Sequence, residues 1–229
     1  MIGIIGAMAS EVDDLKAAMQ EKENKKIGVT EYCEGILFGA RVVVAKSGIG
    51  KVNAALCTQN MIHEYAPRLI INTGCAAGVG NGLHVGDIVI ASDAVQHDLD
   101  YGPLDYKRGY IEGIDTIHIS ADKAYSEKIA AIAEEQGNHT RRGTVATGDQ
   151  FICTKEKQTD IKSTFRAQAV EMEGGAIAHA AAANGVPFVI LRSVSDNGDD
   201  EAVEDFGAFA VQVNKINMQI LKQFLEGEE

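Results

Sequence analysis

Two carboxylates, Glu11 and Asp196, lie far apart in the chain but in equivalent settings. Glu11 comes just after the apolar run Ile2 to Ile5, and Asp196 comes just after the run Phe188 to Ser193. In an open α/β sheet the chain leaving a strand is where functional groups are exposed. Two acids converging on one cleft suit hydrolysis of a glycosidic bond. One takes a proton from water, the other protonates the leaving group, and the transition state has oxocarbenium character. The donor must hold its proton near neutral pH, which requires burial or a neighbouring charge. Glu11 has a second reading, since an acid in a helix's first turn complements the dipole without doing chemistry. Position alone leaves both open.

Other groups gather at similar points. Glu171-Met172-Glu173-Gly174-Gly175 lies between an apolar run and an alanine-rich stretch, where a carboxylate could accept hydrogen bonds from two adjacent sugar hydroxyls or simply cap a helix. Arg192-Ser193-Val194-Ser195-Asp196 sets a cation, hydroxyls and an acid at one strand end, and Gly148-Asp149-Gln150-Phe151-Ile152 offers an aromatic face for a flat heterocycle. The acidic run Asp196, Asp199, Asp200, Glu201, Glu204 and Asp205 reads chiefly as the solvated entrance to a helix, apart from Asp196 at its strand end.

Several familiar motifs fail. Gly48-Ile49-Gly50-Lys51 would be a phosphate-binding P-loop only with glycine in place of Ala45 and Ser or Thr in place of Val52. Gly78-Val79-Gly80 lacks the third glycine of a dinucleotide fingerprint, because Leu83 stands there. The six histidines show no metal-binding spacing, and there is no G-x-S-x-G elbow. Neither a metal nor a cofactor is expected.

A formal charge of −12 disfavours nucleic acid and anionic membrane as partners, while leaving a small uncharged ligand open. Cys33, Cys57, Cys75 and Cys153 form no C-x-x-C pair and sit in mostly apolar segments, so reduced, largely buried thiols are expected. The apolar opening is too brief for a signal peptide and lacks a basic segment, and no run reaches the roughly 18 apolar residues of a membrane span. A cytoplasmic protein is the expectation.

The elements that must position these groups follow from apolar patterning. Short strands are expected at Ile2 to Ile5, Gly35 to Phe38, Arg41 to Ala45, Leu69 to Asn72, Val85 to Ala94, Arg142 to Thr147, Ala169 to Val170 and Pro187 to Leu191. Helices should begin near Ser10 (with Asp13 as a capping box), run from about Val52 to Pro67, cover Tyr125 to Ile132 and Gly174 to Ala183, and close the chain along the stripe Phe206, Phe209, Ala210, Val213, Ile216, Ile220, Leu221 and Phe224. Gly74 to Gly82 reads as a glycine-rich turn and Asp98 to Gly113 as a long loop. The sum is a single α/β domain over residues 1–229, with a mixed central β-sheet flanked by helices on both faces. Its ligand sites are expected at residues 6–11, 47–51, 74–78, 148–153, 171–173 and 192–196.

These residues resemble the 5′-methylthioadenosine/S-adenosylhomocysteine nucleosidases of the nucleoside phosphorylase superfamily. The resemblance rests on Gly3-Ile4-Ile5-Gly6-Ala7-Met8 with Glu11, Lys46-Ser47-Gly48-Ile49-Gly50-Lys51, Asn72-Thr73-Gly74, Gly148-Asp149 with Phe151-Ile152, Val170-Glu171-Met172-Glu173, and Arg192 with Ser195-Asp196. It runs in order from Met1 to about Phe224 and implies a three-layer nucleoside phosphorylase-like fold. It further implies a hydrolase that frees adenine from methylthioadenosine, S-adenosylhomocysteine and 5′-deoxyadenosine. By resemblance Glu11 is the general base, and Asp196, oriented by Ser195, is the acid that protonates adenine N7. Glu173 and Met172 would hold the ribose hydroxyls with Arg192 beside them, Phe151 would stack on the purine, and the Ile152 backbone would read its edge. Met8, Ile49 and Phe206 would line the 5′-thioalkyl pocket, completed by the partner in a homodimer whose interface the loop Tyr101 to Tyr110 would cross.

One segment departs from the family. Thr73-Gly74-Cys75-Ala76-Ala77-Gly78 replaces the usual Thr-Gly-Ser-Ala-Gly-Gly, so Cys75 and Ala77 are expected to touch substrate and to tune affinity. A phosphorylase on the same scaffold is the first rival, but Ala7-Met8-Ala9-Ser10-Glu11 offers phosphate a carboxylate and no cation. A futalosine-type nucleosidase and a non-catalytic nucleoside sensor are the others.

Overall fold

The computed structural model describes residues 1–199 and 201–228, so Asp200 of the acidic run lies outside the described residues. In chain order the elements are β1 (Ile2–Gly6), α1 (Ala9–Ala18), β2 (Gln20–Ile27), β3 (Thr30–Leu37), β4 (Ala40–Lys46), α2 (Lys51–Tyr65), β5 (Leu69–Gly78) and β6 (Ile88–Gln96). There follow β7 (Ile119–Ser120), α3 (Lys123–Glu135), β8 (Thr140–Thr147), α4 (Lys155–Phe165), β9 (Ala167–Glu171), α5 (Gly174–Ala183), β10 (Phe188–Asp196) and α6 (Ala202–Glu226).

Strand alternation sorts the core into two layers. Ile2 and Ile4 of β1, Val42 and Val44 of β4, and Val189 and Leu191 of β10 pack with α1, α3 and α6. Ile5, Val43, Val89 and Ile190 face the other way, toward α2 and α5. Strands covered on both faces read as unbroken apolar runs, which is why they were visible in the sequence. Gly3 alternates into the second layer, where a side chain would collide with the Met61 sulfur.

The sheet is mixed, as expected, and its hydrogen bonding returns on itself. β5 pairs in parallel with β1 and β10, β10 pairs antiparallel with β6, β6 and β8 run parallel, as do β8 and β9, and β9 rejoins β5 antiparallel through Ala77–Val170 and Gly78–Ala169. This closure corrects the expected turn at Gly74 to Gly82. Residues 74–78 continue β5, because their backbone groups find partners in β10 and then β9.

The expected cap of α1 is corrected as well, and some elements lie where none was expected. Ser10 and Asp13 do not form the cap of α1, which begins two residues earlier behind Met8. β2 was not anticipated, because its sequence Gln20–Ile27 is polar and pairs only with β3 at the sheet's edge. α4 was missed for a similar reason, since only Ile161 and Phe165 of it are buried. All four cysteines are free thiols, with Cys33, Cys57 and Cys75 buried.

Candidate active site

The expected loop segments meet around one cavity of about 180 Å³. Met8, Glu11, Ile49, Cys75, Ala77, Phe151, Ile152, Met172, Glu173, Ser195, Asp196 and Phe206 line it. Arg192 does not, since it is buried behind that wall.

Glu11 is the third residue of α1, so its side chain turns back over the strand end it follows. Its Oε2 accepts the backbone N–H groups of Ala7 at 2.6 Å and Met8 at 3.0 Å, and its Oε1 accepts that of Cys75 at 3.2 Å. The Cys75 thiol stands 3.7 Å from the same Oε1, and burial, aided by the Glu11 charge, pushes that thiol up to about 12, so it stays protonated. Glu11 thus caps its own helix and also faces the cavity. The capping contact does not withdraw this residue from the cavity.

Asp196 ends β10, where a bulge between Val194 and Asp196 breaks the register with β5. A bulge re-aims the side chains beyond it. Asp196 Oδ2 accepts from the Ser195 hydroxyl at 2.8 Å and Oδ1 from the Gly198 N–H at 2.9 Å. Burial nonetheless dominates and raises its pKa, with Asp205 and Asp199 adding to the effect and the two hydrogen bonds opposing it.

Glu173 occupies the N-cap of α5 and presents its carboxylate to the cavity. Its Oε1 accepts the Gly50 N–H at 2.9 Å. Burial first, and the Glu171 charge second, carry its pKa up to about 7 against the pull of Arg192. Phe151 and Phe206 meet edge to face, with ring centroids 5.6 Å apart, and Phe206 joins Met8, Cys75, Val85, Ala210 and Val213 in a small apolar cluster.

The family model of the phosphorylase superfamily matches residues 1–226. A 5′-methylthioadenosine/S-adenosylhomocysteine nucleosidase of Actinobacillus succinogenes is 44% identical over 211 residues, covering 91% of this chain and 90% of that protein. This chain belongs to that nucleosidase family of the phosphorylase superfamily. The crystal structure of the family's Neisseria meningitidis enzyme in complex with methylthio-immucillin-A superposes with a TM-score of 0.94 at 34% identity, over 98% of both chains. The native structure of the Helicobacter pylori futalosine hydrolase gives 0.90 at 33% identity, over 97% of both chains.

Sequence reasoning missed the hub that braces this nucleosidase-family site. Arg192 Nη2 pairs with the Glu171 carboxylate and lies 2.5 Å from Asn72 Oδ1 and 3.6 Å from Glu173, while Nη1 reaches the Cys75 carbonyl at 3.3 Å and lies 4.0 Å from Glu11. Glu171 also accepts the Thr147 hydroxyl and the N–H groups of Glu173 and Gly174. The signal was present in the two glutamates flanking Met172. Both reach the cavity wall, but the chain's turn from β9 into α5 sets Glu171 against the guanidinium and leaves Glu173 3.6 Å from it. Gly74 is required here, because a Cβ at that position would fall on Arg192 Nη1 and Glu11 Oε1. Asn217 of α6 ties the layer together, donating to the Gly74 carbonyl at 2.8 Å and accepting from Ser193 at 2.7 Å.

Proposed function

We propose that this chain, acting as a single domain, hydrolyses the N-glycosidic bond of 5′-methylthioadenosine and S-adenosylhomocysteine, and of 5′-deoxyadenosine, releasing adenine and the 5′-substituted ribose. The observation that carries the reading is that Glu11 and Asp196, distant in sequence, face one cavity in contrasting surroundings. Asp196 is the acid: burial raises its pKa, the direction that a proton donor to N7 requires as the glycosidic bond breaks. Glu11 is the base that takes a proton from the attacking water, its orientation set by backbone donors. Glu173 with Met172 holds the ribose hydroxyls, Phe151 stacks on the purine, the Ile152 backbone reads its edge, and Met8, Phe206 and Ile49 receive the 5′ substituent. The apolar cluster around Phe206 suits a thioalkyl group better than a charged one.

Water rather than phosphate is the nucleophile. The one guanidinium near Glu11 is shared among Glu171, Glu173 and Glu11, so the wall carries surplus negative charge and repels an anion. Incubation with methylthioadenosine should release adenine equally with and without phosphate. Strict phosphate dependence would show a phosphorylase, and binding without turnover would show a sensor.

The same proposal includes a homodimer in the cytoplasm. Ile49, Val52 and Leu56 form a stripe 53%, 69% and 58% exposed on α2 and the loop before it, and Phe151 is 42% exposed although it lines the cavity. A second copy over this face would complete the cavity mouth, with Leu104 and Tyr106 of the loop Tyr101 to Tyr110 also exposed for contact. Among the described residues no helix is long and apolar enough to cross a membrane. Val52→Glu should halve the sedimenting mass and depress activity with it, whereas an unchanged sedimentation profile would remove this face as the interface.

A further inference from the structure

The loop 47–50, which carries Ile49 and the Gly50 N–H to the cavity, has two local side-chain bonds, Ser47 Oγ to the Gly48 carbonyl at 2.8 Å and Asn53 Nδ2 to the Ile49 carbonyl at 2.7 Å, and neither fixes the Gly50 N–H. Gly48 and Gly50 both take left-handed φ values, 87° and 96°, and α2 begins with no side-chain cap and no acidic residue in its first turn. Its upstream end is tied to the Glu11 turn, with the N–H groups of Ser47 and Gly48 donating to the carbonyls of Gly6 and Ala7 at 2.9 and 3.1 Å. Its downstream end is also held by residues 45 to 98 positions away. Lys51 N–H donates to Asp149 Oδ1 at 2.7 Å, which supplies from another strand end the cap that α2 lacks. Lys51 Nζ pairs with Asp98 Oδ1 at 2.7 Å and reaches Gln96 Oε1 at 3.2 Å. Asp98 Oδ2 accepts the Asp149 N–H at 2.9 Å, so one carboxylate fastens both halves of the clamp. The Lys51–Asp98 pair is only 17% exposed at each side chain and is therefore weakly screened.

We propose that Asp98, Lys51 and Asp149 are positioning residues that act through the Gly50 N–H on Glu173, and so set how tightly the ribose hydroxyls are held. The inference rests on the reading of Glu173 as the ribose-holding carboxylate. Gly50 donates to Glu173 Oε1 at 2.9 Å, one residue before the clamped Lys51. With the clamp broken, the first turn of α2 frays, the Gly50 N–H leaves Glu173, and the carboxylate loses the donor that aims it. The reacting groups Glu11 and Asp196 are not touched by the clamp.

The test compares methylthioadenosine with its 2′,3′-dideoxy analogue in the wild-type chain and in Asp98→Asn. Lys51→Met, which removes only the outer arm of the clamp, serves if the first variant does not fold. The wild type should favour the ribonucleoside strongly. The variant should raise KM for methylthioadenosine roughly tenfold, leave KM for the dideoxy analogue unchanged and hold kcat within about threefold, so that the preference shrinks. Parallel rises in both KM values, or no rise in either, would overturn the clamp's role. A wild type that does not discriminate between the two substrates would overturn the reading of Glu173, and the proposal with it.

Discussion

Two carboxylates on one cavity wall, Glu11 and Asp196, sit in contrasting surroundings. Around Glu11 the chain supplies three backbone N–H donors, a thiol and, 4.0 Å off, a guanidinium. Around Asp196 it supplies one hydroxyl and one N–H, with Asp199 and Asp205 nearby, and burial prevails. Backbone donors orient the first carboxylate, whereas burial near like charge raises the pKa of the second. In the proposed mechanism this difference in surroundings, not in residue type, separates the base from the acid.

Changes at these two residues should break the comparison most visibly. Asp196→Asn is expected to lower kcat by about 10²–10⁴ while methylthioadenosine still binds, because the leaving base can no longer be protonated. Near-normal adenine release from a folded variant would refute that role. Glu11→Gln should lose activity on a similar scale, about 10²–10⁴. Recovery of its turnover on adding phosphate would show that the nucleophile has been misread.

Glu173, a third carboxylate on the same wall, sharpens the contrast. Its pKa stands at about 7, above the ordinary 4.5, so protonation favours the folded state: that contribution is whole below pH 4.5 and is lost as pH rises through 7. Glu173→Gln should therefore gain stability relative to the parent between about pH 5 and pH 8, by roughly 1–3 kcal/mol in paired thermal melts. In the parent, KM should rise as pH falls below about 7, since a protonated Glu173 accepts fewer hydroxyl bonds. A flat KM profile together with identical melts would remove Glu173 from this position. The smallest change is Cys75→Ser, which swaps a weak donor to Glu11 for a stronger one and should shift kcat/KM by no more than about fivefold. A collapse of activity in that variant would mean that the thiol does more than donate.

Legibility varied with burial. Helix α5, Gly174–Ala183, was read with both its ends in place, because a short alanine-rich run between a strand and a glycine has one reading. β2 and α4 went unread, because an edge strand and a surface helix bury too little to leave a periodic trace. Within the site, Asp196 was singled out by its place after an apolar run, yet spacing did not distinguish Glu171 from Glu173 two positions on, which only the family resemblance did. The two carboxylates differ in partners brought from distant segments: the Thr147 hydroxyl of β8 and the close Arg192 guanidinium of β10 for one, and the Gly50 N–H ahead of α2 for the other.

Apolar alternation is local, so the chain alone determined which segments become buried strands and which acids follow them. Which of those acids share a cavity was decided by pairings between strands far apart in sequence, above all the closure from β10 through β6, β8 and β9 back to β5, and by one extra residue at Ser195 that turns Asp196 inward. No window of sequence encodes a register between distant strands. It is set by the global fit of two core layers, and the protonation of a buried acid follows only after that fit has fixed its neighbours.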